Sequence, residues 1–116
     1  MQVQFHTNDS VEGHARLAGH AREVVERALA KYQRRITRVD VHLADENLDK
    51  GGVDKRCSIE ARVAGMPPMA ASNVAQDIGL AIEGAAEKLA KVLSSALGRI
   101  DEHRHALPRA AKGTAE

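Results

Sequence analysis

The chain has 116 residues, with 17 Lys and Arg against 16 Asp and Glu, a net charge of +1 and one cysteine. That length makes one domain with a core of its own, and the near balance of charge excludes nucleic-acid binding by bulk charge, so any such binding must rest on local patches. A lone Cys57 excludes an intramolecular disulfide, no apolar run approaches the length of a membrane span, and with no signal peptide at its start the expected setting is the cytoplasm.

Phe5 and Tyr32 are the only large aromatics, so the core must be built from Val, Ile, Leu and Ala. Residues 1–7 alternate Val3 and Phe5 with Gln2, Gln4 and His6, which predicts a first strand. Asn8-Asp9-Ser10 is a polar break suited to a helix N-cap. A helix is predicted from Val11 to Arg34, on Leu17, Ala21, Val24, Ala28 and Tyr32 at spacings of three and four, widened by Val25 and Leu29. Gly13 and Gly19 weaken its start by about 1 kcal/mol each relative to alanine.

Residues 36–64 predict a β-hairpin. Val39, Val41 and Leu43 alternate with Arg38, Asp40 and His42; Cys57, Ile59, Ala61 and Val63 alternate with Arg56, Ser58, Glu60 and Arg62. Such alternation marks strands with one apolar face, and it places Cys57 in the core as a small hydrophobe. The loop from Glu46 to Lys55 carries Gly51-Gly52 among charges, which suits a solvated tip. Gly65-Met66-Pro67-Pro68 breaks the chain, a short strand follows from Met69 to Val74, and Asp77 caps a second helix. Its stripe is Ile78, Ile82, Ala85, Leu89, Val92, Leu93, Ala96 and Ile100, with fraying expected around His103 to His105. Residues 106–116 read as a disordered tail after a domain of residues 1–105.

The predicted order is strand, helix, three strands, helix. One-sided strands and one-sided helices bury each other as an α+β, two-layer β-α-β-β-β-α domain, both helices on one face of a four-stranded, mostly antiparallel sheet. The first strand–helix–strand unit suits a right-handed parallel crossover. The other sheet face is left to water, with Gln2, Gln4, His6, Arg38, Asp40, His42, Arg56, Ser58, Glu60 and Arg62 on it.

No catalytic constellation is present: no phosphate-binding glycine loop, no dinucleotide fingerprint, no nucleophile elbow. His103 and His105 stand two apart, a poor spacing for helical metal ligation. Asp45, Glu46, Asp49 and Asp54 do not follow the calcium-loop pattern. No enzyme activity, cofactor, metal or small-molecule substrate is expected.

The basic residues are more informative. At 100° per residue, Arg16, His20, Arg27, Lys31 and Arg34 fall in a narrow sector beside the apolar stripe. From Arg27 to Arg38 there are five basic residues and no acidic one. Lys88, Lys91 and Arg99 share an outward flank of the second helix with Ser95. Side by side, the two helices would make one shallow basic surface able to follow a phosphate backbone. Against this stands a plain solvated face, with Glu23–Arg27 and Glu87–Lys91 as i, i+4 pairs.

The chain resembles the ribosome hibernation promoting factor family, which includes protein Y, also called ribosome-associated inhibitor A. The matching features, over about residues 1 to 102, are the Met1-Gln2-Val3 strand, Ile36-Thr37-Arg38-Val39 followed by Val41-His42-Leu43, and Gln76-Asp77-Ile78 leading to Ala81-Ile82-Glu83 and Lys88-Leu89. The stretch Asp45-Glu46-Asn47, Lys50-Gly51-Gly52, Asp54-Lys55-Arg56-Cys57 looks like a short subgroup. The family pattern has Tyr where this chain has Gly79, and a dense basic run where it has Ser94 to Arg99. The resemblance implies a fold akin to double-stranded-RNA-binding domains. It also implies binding in the decoding channel of the small ribosomal subunit, where an occupied channel excludes tRNA and mRNA and silences idle ribosomes. The residues that would meet rRNA phosphates are Arg27, Lys31, Arg34, Arg35, Arg38, Lys55, Arg56, Arg62, Lys88, Lys91 and Arg99. The separate C-terminal dimerisation domain of long family members has no counterpart here, so ribosome pairing by that route is not expected. The alternative is a protein-interaction or stress-regulatory domain on the same scaffold, acting through the hairpin loop without the ribosome.

Overall fold

A computed structural model describes residues 1–7, 14–45 and 55–106. The chain runs β1 (Gln2–Thr7), α1 (His14–Ala28), a 3-10 turn (Ala30–Tyr32), β2 (Ile36–Asp45), β3 (Lys55–Val63), β4 (Met69–Ala75) and α2 (Ile78–Ala106). The strands form one sheet in the order β1-β2-β3-β4. β1 pairs with β2 in parallel, and the two later pairings are antiparallel. This is the expected two-layer α+β order, with the parallel pair made by the β1–α1–β2 crossover. The hairpin-loop and tail expectations fall on residues 46–54 and 107–116, outside the described residues.

The period-2 pattern explains the sheet. Val39, Val41, Leu43, Cys57, Ile59, Ala61 and Val63 are all buried on the helix-covered face, and burial pushes the Cys57 thiol up to about 12. Ile36 breaks the parity of its strand yet is buried as well. The register shifts between Ile36, opposite Val63, and Arg38, opposite Arg62. Thr37 is the extra residue of this bulge, and its Oγ1 donates to the Arg62 carbonyl at 3.1 Å. The bulge turns Ile36 into the core while Arg38 stays on the open face.

The first helix is shorter than its sequence pattern. Leu29 leaves helical geometry at φ −106°, ψ 13°, and the chain tightens with Tyr32 N donating to Leu29 O and Gln33 N to Ala30 O. The tighter turn keeps Leu29 fully buried while swinging the chain into β2 four residues later. The predicted start at Val11 lies outside the described residues.

Asp77 caps α2 as expected: its Oδ1 accepts from Gly79 N at 2.7 Å and Leu80 N at 3.2 Å. The helix continues through His103–His105 to Ala106 rather than fraying there. Its buried side is Ala81, Ile82, Ala85, Ala86, Leu89, Leu93 and Leu97, while Val92 is 38% exposed. The stripe is rotated from the expected one because α2 packs against α1 as well as the sheet. On the opposite flank Lys88 Nζ donates to the Ser72 carbonyl of β4 at 3.4 Å.

Two glycines of α2 differ in what surrounds them. A Cβ at Gly84 would fall on the Asn73 amide of β4, 2.6 Å from its Cγ, whereas one at Gly98 would meet nothing within 4 Å. Gly84→Ala is therefore expected to destabilise the domain by about 1–2 kcal/mol through overpacking, in spite of its better helix propensity. Gly98→Ala is expected to stabilise it by about 1 kcal/mol. Urea-unfolding midpoints that move in opposite directions would verify the contrast.

Candidate nucleic-acid interface

Basic side chains gather where α1 gives way to β2. Lys31 is the middle residue of the 3-10 turn, Arg34 and Arg35 belong to the turn that follows, and Arg38 stands on the open sheet face with Arg62 opposite it on β3. The turn is set by its backbone: Arg35 N donates to Tyr32 O at 2.9 Å and Ala64 N to Arg35 O at 3.1 Å. Lys31 Nζ lies 5.9 Å from the Tyr32 ring centroid, at the outer limit of a cation–π contact. Lys31, Arg34, Arg38 and Arg62 are exposed and Arg35 is half-buried. Five cations thus occupy one corner of the domain.

The other expected contacts do not all join this corner. Lys55 and Arg56 begin β3, and Arg56 lies six residues from Arg62, roughly 20 Å along an extended strand. Arg27 faces α2, where a groove of about 470 Å³ is lined by His20, Val24, Arg27, Ala28, Glu83, Ala86, Glu87 and Ala90. His20 Nε2 is 3.6 Å from Glu83, and Arg27 is 3.7 Å from Glu23 within α1. The flank of α2 that meets α1 is therefore acidic. Lys88 stands on the far flank and reaches over β4, while exposed Lys91 lies one turn after Glu87 on the back of the helix. The expected single basic surface across both helices is interrupted by Glu83 and Glu87. Arg99 is 21 residues beyond Ile78, so about 31 Å of helix carries it past the seven-residue β4 to the corner's end of the domain.

The open sheet face holds an arrangement that the alternation alone did not reveal. The parallel register sets His6 opposite His42 and Gln4 opposite Asp40. The two imidazoles stack, with centroids 4.5 Å apart and planes within 13°. Asp40 is only 5% exposed although it lies on the uncovered face. Arg38 Nε donates to both of its carboxylate oxygens at 3.2 and 3.1 Å, Arg38 Nη2 donates to Oδ1 at 3.0 Å, and His6 Nε2 donates to Oδ1 at 3.1 Å. Burial alone would raise the Asp40 pKa. The hydrogen bonds and charges of Arg38, and then of His6, outweigh it and hold the carboxyl below its ordinary value of 3.8. A lowered carboxylate pKa stabilises the fold fully above the unfolded-state value, and that contribution disappears as pH falls through the folded one. The urea midpoints of the wild type and Asp40→Asn should therefore differ fully above the ordinary carboxylate range and converge as pH falls below it.

Among the described residues, no group of three or more His, Cys, Asp or Glu converges to hold a metal, and no helix is long and apolar enough to cross a membrane. The sequence profile of the family described as "Sigma 54 modulation protein / S30EA ribosomal protein" matches residues 7–101. The chain belongs to this family. Membership bears out the resemblance carried by the Ile36-Thr37-Arg38-Val39 and Gln76-Asp77-Ile78 stretches, and it makes the chain one of a ribosome-associated group. No curated protein matches the chain. Among solved structures, a ribosomal subunit interface protein from Coxiella burnetii is similar at 17% identity and a TM-score of 0.65, over 84% of this chain and 99% of that one. The Thermus thermophilus Protein Y N-terminal domain is similar at 16% identity and a TM-score of 0.67, over 82% and 98%. At these identities the likeness is one of fold, and the β-α-β-β-β-α order of this family member is shared by both.

Proposed function

We propose that the protein binds the small ribosomal subunit in its decoding channel and blocks tRNA and mRNA by occupying their path. The observation that carries this reading is the corner of Lys31, Arg34, Arg35, Arg38 and Arg62, set in a member of a ribosome-associated family. Its mechanism needs no reacting group. Guanidinium and ammonium groups neutralise rRNA phosphates, the rigid two-layer body fills the channel, and initiation fails for lack of space. Arg99 extends the contact from the same end, while Arg27, Lys55, Arg56, Lys88 and Lys91 act as outlying contacts. The name of the Coxiella relative, a subunit interface protein, supports a site at the face where the subunits meet. The action is cytoplasmic, where ribosomes work.

The test is sedimentation of the purified protein with isolated small subunits through a sucrose gradient at low salt. Co-migration is expected, weakening steeply as salt rises because phosphate contacts release counterions, and lost when initiator tRNA and mRNA are bound first. A protein that stays at the top of the gradient at low salt, or that co-migrates equally well with a channel already filled, overturns the reading.

A further inference from the structure

The feature that the basic corner leaves unused is the open face of the sheet around His42. Both helices lie on the other side, so among the described residues no element of secondary structure covers this face. Strands lie about 4.8 Å apart, close to the 4.5 Å between the His6 and His42 ring centroids. The rings are therefore stacked from strand to strand, standing up from the sheet. His6 covers one face of the His42 ring. On the other side the register places Ser58 on β3 and Ser72 on β4, both small. The result is a slot with an imidazole wall, a serine floor and no large side chain opposite. Along β3, Arg56 and Glu60 flank Ser58, each about 7 Å away along the strand. One row beyond Glu60 stand Arg62 and Arg38.

We propose that this slot takes an unpaired nucleobase of a single-stranded RNA segment laid across the sheet. The wall supplies a stacking surface. The hydroxyls of Ser58 and Ser72 and the carboxylate of Glu60 offer acceptors and donors to the edge of a base. Exposed Arg62 stands past Glu60 at one end of the slot, where it can meet a neighbouring phosphate. Asp40 does not oppose this contact, since its charge is met by Arg38 and His6 at hydrogen-bond distance. A duplex is a poor occupant, because its bases are already stacked and paired. The slot borders the corner proposed to meet rRNA phosphates at Arg38 and Arg62 and uses none of Lys31, Arg34 and Arg35.

The experiment is a titration of the full chain with a single-stranded hexaribonucleotide, followed by amide chemical shifts and by anisotropy of the labelled RNA. Shifts are expected at His6, His42, Ser58 and Ser72. His42→Ala should weaken binding about tenfold, as for loss of one stacked base, while His42→Phe, which keeps a ring, should restore most of it; the amide spectrum of each variant reports that it is folded. A variant with Lys31, Arg34 and Arg35 changed to glutamate should lose small-subunit binding yet retain the shifts on the sheet, which separates this site from the ribosomal reading. The proposal is overturned if the shifts fall only on the helices and the corner, if His42→Ala binds as well as wild type, if inorganic polyphosphate or a duplex hairpin produces the same shifts, or if the corner variant abolishes them.

Discussion

Changing Lys31, Arg34 and Arg35 together to glutamate is expected to remove the protein from the small-subunit fraction, whereas the same change at Lys88, Lys91 and Arg99 is expected to weaken association without abolishing it. The first three lie within five residues of one another at a turn, so they face one stretch of phosphate backbone together. Each lost contact should lower the slope of log affinity against log salt by about 0.7–0.9, so the corner triple should flatten it by about two to three units. Reversal also places three carboxylates against the phosphates, and the affinity at low salt should fall on the order of a hundredfold or more. Lys88 stands across α2 from the corner, beyond Glu83 and Glu87, and Lys91 lies one turn after Glu87, whose carboxylate offsets its charge. Gradient sedimentation at several salt concentrations measures both. Equal losses from the two triples would show that the corner has no privileged role. The backbone bonds of Arg35 to Tyr32 and Ala64 do not involve the substituted side chains, and a cooperative melting transition of the corner triple checks that it is folded.

The largest expected effect on stability is at Leu89, fully buried halfway along the packed part of α2 in the same cluster as Val41, Ile59 and Ala61. The side of α2 that carries it is otherwise rich in alanine, with Ala81, Ala85 and Ala86. Those residues have no side-chain length with which to close a gap, so Leu89→Ala should leave most of its cavity open. The expected cost is about 3 kcal/mol, a large share of the total stability of a small domain. Urea unfolding should show a lower midpoint at an unchanged slope. A loss below about 1 kcal/mol would mean that the helix resettles on the sheet.

The strands were legible because one covered face and one open face write themselves into the sequence as alternation, and every alternating residue from Val39 to Leu43 and Cys57 to Val63 lies on its expected side. The Asp77 cap was legible because it is local. What escaped depends on distant partners. The end of α1 at Ala28 is set by the burial of Leu29 and the entry into β2, not by any breaker in the sequence. The rotation of α2 about its axis is set by α1; its signal was Ala86 and Ala90, small residues on one flank with Glu83 and Glu87, where another helix can approach. The buried Asp40 and the His6–His42 stack required the parallel register of β1 on β2, which joins residues 36 apart. Four of the corner's five cations, Lys31, Arg34, Arg35 and Arg38, were legible as a run without an acid; Arg62 joins them only through the β2–β3 register, Arg27 of the same run turns toward α2, and the interruption by Glu83 and Glu87 exists only in three dimensions.

Lys88 carries a further consequence. β4 is an outer strand with neither a charge nor a proline between Met69 and Ala75, and its unpaired carbonyls are an invitation to strand addition from another molecule. The ammonium that crosses from α2 to the Ser72 carbonyl lays a positive charge across that invitation. Lys88 is therefore expected to guard this edge against self-association, and a glutamate there would expose the edge as well as remove a cation. Precipitation of such a variant would report the loss of that guard rather than a lost contact with RNA.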